Sequence, residues 1–332
     1  MIKKIFLLLF ISSIYSIAQT HPNPEIHSLI STGISQIIVQ QYGPAEQTFK
    51  QLEQKHPKQP YGKIYLGILE IVKAEDYGTQ PNEAKIEDLL EEARVLTDDL
   101  LDKDDENIWN IYAAALCDGF AAYGSALSRN WVATFTSGYS ALKNIEKCLA
   151  KNPSFTDGLI GRASFDYWKE KKAGWLPFGS GDEKEAIRTL EKSINGVGYN
   201  VFLGVNSLLW IYIDREEYQK AVALADRTLL KTPNSRYFLW VKARALEKYD
   251  YRSSISVYNQ LLNSYINEGK LSNHNKVVIL HKLAINHNNL GEKQKALSLC
   301  TEALSVKLTT SYEKDRLEKR IENITKLRDS LK

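Results

Sequence analysis

Three histidines, His274, His281 and His287, stand seven and six residues apart near the end of the chain. Imidazoles in such a run are metal-ligand material, because zinc takes three or four nitrogen, sulfur or oxygen ligands converging on one point. On a helix a spacing of seven returns to the same face and a further six does not. The third ring therefore points away, and no metal centre is expected. Asp118 and Asp166 lie in very apolar stretches. A buried carboxylate either works as an acid–base group or is neutralised by a cation. Arg129 and Arg162 can supply that charge, so structural ion pairs are expected rather than catalytic acids. H-E-x-x-H, G-x-S-x-G and C-x-x-C do not occur in the sequence. An enzymatic role is not expected, and neither is a cofactor.

Gly174-Trp-Leu-Pro-Phe-Gly179-Ser180 outlines the start of a phosphate-binding loop. The lysine that reaches the phosphates is missing and no strand leads in, which removes the mechanism. The end of the segment, "SGDEKEA", is helix-start chemistry: Ser180 with Glu183, or Asp182 with Glu185, can form a capping box. That leaves Trp175, Leu176 and Phe178. Each large aromatic brings about 150–250 Å² of surface, and an apolar patch of that size is either covered or used. Both readings stay open: packing back over the fold, or contact with a partner, a ligand or a membrane surface. Trp175 and Phe178 are thus candidate partner-binding residues.

The elements that hold these residues must suit a chain of 332 residues with 43% hydrophobic and 25% charged content. This is the composition of an ordinary folded protein, too long for one small domain. The net charge is +3, and Lys3 and Lys4 carry two of those charges. Such a chain has no electrostatic footprint for nucleic acid. "MIKKIFLLLFISSIYSIAQT" has the parts of a secretory signal: a basic start, an apolar run from Ile5, and the small residues Ser16 and Ala18 where signal peptidase reads. The run is about 14 residues, short of the roughly 20 that span a bilayer. Residues 1–18 are expected to be a signal peptide cleaved after Ala18. The mature chain is expected to be exported, periplasmic or secreted, with no transmembrane segment. Cys117, Cys148 and Cys300 each fall on an apolar helix stripe and are expected to be buried thiols. A Cys117–Cys148 bridge is the alternative.

"AEQTFKQLEQKHP", "ALKNIEKCLAKNP" and "AVALADRTLLKTP", from Ala45, Ala141 and Ala221, share one signature. A small residue comes first, small or apolar residues follow at four and seven, and a proline comes at twelve. On a helix the first three share a face. The proline marks the exit. Weaker copies begin at Ile86, Ala186, Ser254 and Ala296. A spacing within about 20–50 residues signals a stacked array; one wider gap, from Ile86 to Ala141, leaves room for an extended helix. Other apolar-patterned stretches precede these helices, such as "VNSLLWIYI", "WVKARAL" and "ILHKLAINH".

Helix, turn, helix and proline, repeated, resembles the tetratricopeptide repeat (TPR) family. Leu208, Tyr212, Ala221, Ala225 and Pro233 match its pattern, as do Leu280, Leu283, Ala284 and Ala296. The stretch from Gly119 to Leu262 is also similar to secreted bacterial TPR proteins. The resemblance implies an all-α fold: a right-handed α-solenoid of about seven TPR-like helix pairs over residues 19–309. The segment 310–332, with Leu317, Ile321, Ile324 and Leu331 on one side, reads as a C-terminal capping helix. The resemblance further implies that the first helix of each pair lines a groove. Leu203, Asn206 and Trp210, then Tyr237, Trp240 and Arg244, then His281, Ile285 and Asn288 would face it. The Lys/Asn set with which some relatives clamp a peptide carboxylate is not evident. The expected role is a TPR scaffold mediating protein or peptide binding in the cell envelope. The alternative is a small-molecule-binding component of an envelope uptake system.

Overall fold

A computed structural model describes residues 19–173 and 182–332. Among the described residues there are fifteen helices and no strand. In chain order they are α1 (Pro24–Ile38), α2 (Tyr42–Lys55), α3 (Tyr61–Tyr77), α4 (Glu83–Leu101), α5 (Ile108–Leu127), α6 (Trp131–Lys151), α7 (Thr156–Ala173) and α8 (Glu183–Ser193). They continue with α9 (Val201–Asp214), α10 (Tyr218–Leu229), α11 (Arg236–Leu246), α12 (Tyr251–Glu268), α13 (Asn273–Asn289), α14 (Lys293–Ser305) and α15 (Ser311–Ser330).

The register read from the sequence falls on the second helix of seven successive pairs. Ala45, Ile86, Ala186, Ala221, Ser254 and Ala296 are each the fourth residue of their helix, and all are buried. Ala141 is also buried but is the eleventh residue of α6. That helix therefore starts about two turns early, and the wide gap in the spacing is a lengthened α5–α6 hairpin. The exits follow the chemistry: Pro57, Pro153 and Pro233 stand just past the ends of α2, α6 and α10. Asp182 caps α8 by accepting from the Glu185 amide at 3.0 Å, half of the Asp182–Glu185 box foreseen; the Glu185 carboxylate instead accepts from Arg188 and Thr189. α15 opens with a capping box between Thr310 and Glu313 and packs on α13 and α14, burying Leu317 and Ile324.

Small residues let helices meet backbone to backbone. A Cβ added to Gly62 on α3 would stand 2.7 Å from the backbone of Glu53 on α2, which cannot swing aside. Gly62→Ala is therefore expected to destabilise by about 1–3 kcal/mol, despite the roughly 0.5–1 kcal/mol that alanine gains as a helix former. A urea midpoint that is unchanged or raised would contradict this close packing.

Contacts resolve the chain into two compact units, each built from three segments. The first unit takes the described part of Met1–Ile34, then Pro44–Leu66 and Asp88–Val205; the second takes Ser35–Gly43, Gly67–Glu87 and Asn206–Lys332. Neither is held only by neighbours in sequence. In the first unit the Gln19 amide group donates to the Ser154 carbonyl at 2.7 Å and accepts from the Thr156 amide at 2.8 Å. The His21 amide donates to the Tyr199 hydroxyl at 2.9 Å. These bonds pin the beginning of the described chain to residues more than a hundred positions later. They also surround Asp157, a buried carboxylate that accepts from the Tyr112 hydroxyl at 2.9 Å and from the amides of Tyr199 and Asn200 at 3.0 and 2.8 Å. Burial pushes its pKa up to about 6, against the pull of those donors.

In the second unit a single carboxylate does the same work. Asp76, at the end of α3, is buried. It accepts from Arg236 through Nε at 2.9 Å and Nη2 at 2.5 Å, from the Tyr42 hydroxyl at 3.0 Å and from the Tyr265 hydroxyl at 3.0 Å. Its backbone carbonyl accepts from Asn275 Nδ2 at 2.7 Å. The remaining arm of Arg236 reaches Glu268 at 2.6 Å. Burial opposes the guanidinium charge, but the bonds to Asp76 carry its pKa above the ordinary arginine range.

Candidate binding site

Three helices of the second unit, α11, α13 and α15, bring charge to one place. Glu247, at the end of α11, has a side chain only 9% exposed. Its Oε2 accepts from Arg244 Nη1 at 2.8 Å and from Lys282 Nζ on α13 at 2.9 Å. Its Oε1 accepts from the Tyr258 hydroxyl. Burial raises the Glu247 pKa, and Arg244 opposes that rise. Arg320 comes in from α15. It finds an imidazole there: its Nη1 lies 3.2 Å from Nδ1 of His281. A guanidinium only donates, so His281 must accept. Burial and then the Arg320 charge lower the His281 pKa to about 4, which keeps the ring neutral. Burial and the neighbouring Arg244 pull the Arg320 pKa below its usual value.

Three cations, one carboxylate and a neutral imidazole leave this cluster electropositive. Arg320 feels the charge of Glu247 but makes no direct ion pair with it, and Glu247 is already bonded by Arg244, Lys282 and Tyr258. A half-buried guanidinium so placed is poised to take a carboxylate from outside, and charge-assisted bonds of this type are stronger than neutral ones. Trp240 stands one turn before Arg244 on α11, half-buried, with its ring edge-on to Tyr258, whose hydroxyl bonds Glu247.

The residues chosen from the sequence meet different fates. Arg244 is in the cluster. Trp240 is half-buried, and its Nε1 donates to the Tyr265 hydroxyl at 3.0 Å, which ties it to the Asp76 network. Tyr237 is tied to the same network. Tyr42 gives its proton to Asp76, so Tyr237 donates to Tyr42 at 2.7 Å. On α9, Trp210 is 36% exposed and Asn206 half-buried. His281 is buried, and Ile285 and Asn288 are half-buried. Trp175 and Phe178 lie outside the described residues, as do residues 1–18. Lys282, Glu247 and Arg320 were not anticipated. Lys282 adjoins His281, one place off the projected groove line. Arg320 sits on a helix read only for its apolar side.

The other candidates resolve into structural pairs. Asp118 is neutralised by Arg94 at 2.6 Å and bonded by Ser140 and Asn144 at 2.6 and 3.3 Å, not by Arg129. Arg129 lies beyond the end of α5 in the left-handed region (φ 59°), about 16 Å along the helix from Asp118. Asp166 does pair with Arg162, at 2.7 Å. The three cysteines are buried and unbridged, and burial lifts the thiols of Cys117 and Cys148 to about 12. His274, His281 and His287 lie against Asn275, Arg320 and Glu292 respectively. Among the described residues no group of three His, Cys, Asp or Glu side chains is placed to hold a metal ion, and no helix is long and apolar enough to cross a membrane. In the first unit an open cleft of about 810 Å³ has Lys103, Lys147 and Lys151 facing Asp102, Asp105 and Glu106. Lys151 already pairs with Glu106 there.

No family model matches the chain, and no curated protein matches it in sequence. Solved structures are similar to it in backbone. The C-terminal part of a TPR repeat-containing protein from Cytophaga hutchinsonii is 15% identical, over 85% of this chain and 98% of that one, with a TM-score of 0.39. A tetratricopeptide repeat protein from Parabacteroides merdae is 15% identical, over 92% and 98%, with a TM-score of 0.35. Yeast Tom70 is 15% identical, over 93% and 66%, with a TM-score of 0.39. Two of these three solved structures are described as tetratricopeptide repeat proteins.

Proposed function

We propose that the chain is a binding scaffold whose partner is a protein or peptide segment presenting a carboxylate to Arg244, Lys282 and Arg320. The observation that carries this reading is the surplus of positive charge around Glu247. A buried or half-buried cation lowers stability unless it is matched, and Arg320 is held against a neutral imidazole. A site that gives up stability in this way is typical of a site kept for binding. The flanking Trp240 supplies apolar contact for the residues next to the carboxylate.

The test separates binding from folding. Short peptides, acidic and neutral, with free and with amidated C-termini, are titrated against the chain by fluorescence polarisation. Arg320→Gln keeps a donor for His281 and removes the charge. It is expected to lower affinity for carboxylate-bearing peptides by roughly 10- to 150-fold, the loss of one charge-assisted bond of about 1.5–3 kcal/mol. The melting temperature is expected to hold or rise. Unchanged affinity in Arg320→Gln, or no preference for a carboxylate, would remove the site from this role.

The same reading places the chain in the cell envelope, exported by its N-terminal segment. What supports this is Lys3 and Lys4, the apolar run that follows them, and the small residues before Gln19. N-terminal sequencing of protein recovered from an envelope or culture-medium fraction should begin at Gln19. Protein confined to the cytosolic fraction with Met1 intact would oppose it.

A further inference from the structure

The lengthened α5–α6 hairpin carries a feature that the repeat does not need. The first residues of α6 precede the position where the other second helices begin their register. From this extension into the start of the shared register, Trp131, Phe135 and Tyr139 follow each other at intervals of four, on one ridge of the helix. They are 58%, 44% and 45% exposed, and Val132 beside them is 78% exposed. Lys143 continues the ridge, with Nζ 4.7 Å from the centre of the Tyr139 ring. Tyr123, on the facing end of α5, is 38% exposed. Three large aromatics exposed along one ridge form an apolar surface that folded chains either cover or use.

The charge carried by this stretch of the hairpin has one sign. From Gly119 to Ile145 the sequence contains no Asp or Glu, and its charged residues are Arg129 and Lys143. Arg129 and Asn130 are both exposed at the hairpin turn. Glu146, which ends the acid-free stretch, is engaged by Arg162 at 2.7 Å. The hydroxyls of Thr134 and Thr136 are turned back onto their own helix, donating to the carbonyls of Asn130 and Val132 at 2.8 and 3.0 Å. Little polar pattern is left on the ridge to fix the register of a protein partner. A second copy packed along the same ridge would set Arg129 and Lys143 against their own equivalents, with no carboxylate between them.

We propose that the projecting end of the α5–α6 hairpin docks on the surface of a bilayer containing anionic lipid. Trp and Tyr side chains favour the headgroup level, where an apolar ring and a polar edge are both satisfied. Basic residues flanking an apolar helix face add attraction to anionic headgroups. The contact lies in the interface and spans nothing. It belongs to the first unit and is independent of the carboxylate site in the second.

The test is co-sedimentation with vesicles of phosphatidylcholine alone and of phosphatidylcholine with one quarter phosphatidylglycerol. It uses the full chain and, to remove the apolar run at Ile5–Phe10, the chain from Gln19. The anionic vesicles are expected to carry the protein down with a blue shift in tryptophan emission. Trp131→Ser with Phe135→Ser is expected to reduce partitioning at least about tenfold. Arg129→Glu with Lys143→Glu is expected to abolish the preference for anionic over neutral vesicles. All four positions are exposed, so circular dichroism melting should not change; if the serine pair does unfold, the charge-reversal pair decides. Sedimentation of both variants equal to wild type would overturn the proposal. So would failure of wild type to bind vesicles, or a wild-type dimer in sedimentation equilibrium that the serine pair abolishes, which would assign the ridge to a second copy.

Discussion

Replacing Arg236 by leucine is expected to cost the second unit about 3–5 kcal/mol, the range for breaking a buried ion pair by removing one partner. The reason lies in what remains. Asp76 would keep the hydroxyls of Tyr42 and Tyr265 as donors but lose every charge-assisted bond from Arg236. Glu268 would lose its bond from Nη1 as well. The guanidinium also lies over the Tyr265 ring, 4.6 Å from its centre. Because Asp76 belongs to a segment some 160 residues earlier, the damage should not stay on α11. Hydrogen exchange is expected to speed up together near Tyr42, Asp76, Tyr265 and Asn275. Asp76→Asn combined with Arg236→Leu should recover part of the loss, since no uncompensated charge is then buried. Urea unfolding that shows less than about 1 kcal/mol of destabilisation, or exchange changes confined to α11, would mean that this pair does not join the segments.

The second large effect is a pH dependence with two opposing parts, both in the first unit. Asp157 has a folded pKa of about 6 against an ordinary 3.8. Its contribution to stability is therefore full below about pH 4 and is lost as pH rises through about 6. The shift corresponds to roughly 3 kcal/mol at most, at about 1.4 kcal/mol per unit. His21 runs the other way. Burial lowers its pKa from 6.5 to about 4. Its contribution is present above pH 6.5 and is lost as pH falls toward 4; its partial contact with solvent makes this term smaller than the bare shift implies. In wild type the two offset each other between pH 6 and 4. Asp157→Asn should expose the histidine term, so the variant loses stability on acidification while wild type stays nearly level. His21→Gln should do the reverse and gain stability as pH falls. Urea unfolding at pH 7, 6, 5 and 4, followed by exchange protection in α5 and α7, measures both. Parallel curves for all three proteins would show that neither group is held as described.

What the sequence could reveal was the local part. Small residues at helix crossings leave a mark every few tens of residues, because the packing requirement recurs within one helix pair. Six of the seven register positions were legible for that reason, down to Ser254 as a stand-in for alanine; the seventh, Ile86, was legible from its spacing and the apolar pattern that follows it. The lengthened hairpin was legible as a spacing error. The pairing of Asp166 with Arg162 was legible because both lie one turn apart on α7. The partner of Asp118 was not. Eleven residues look close in sequence, but along a continuous α5 they become about 16 Å, and Arg94 on the preceding helix is nearer. The Asp76–Arg236 pair and the bonds of Gln19 and His21 were beyond reach, since nothing local marks a contact over more than a hundred residues. The groove projection put Arg244 on α11, the first helix of its pair, yet two of its neighbours in that projection, Tyr237 and Trp240, turn their polar atoms inward to Tyr42 and Tyr265, which bond Asp76. The cluster's other cations come from Lys282 and from Arg320. Neither follows from a repeat pattern, because one stands off the projected line and the other belongs to a helix outside the repeat.

Hydrogen exchange of the chain with and without the tightest carboxylate-bearing peptide tests the binding account most directly. Protection is predicted to gather on the end of α11 around Arg244–Glu247, on α13 around His281–Leu283 and on α15 around Arg320, and to vanish in Arg320→Gln. Protection that falls elsewhere in the second unit, or that survives in Arg320→Gln, would contradict it.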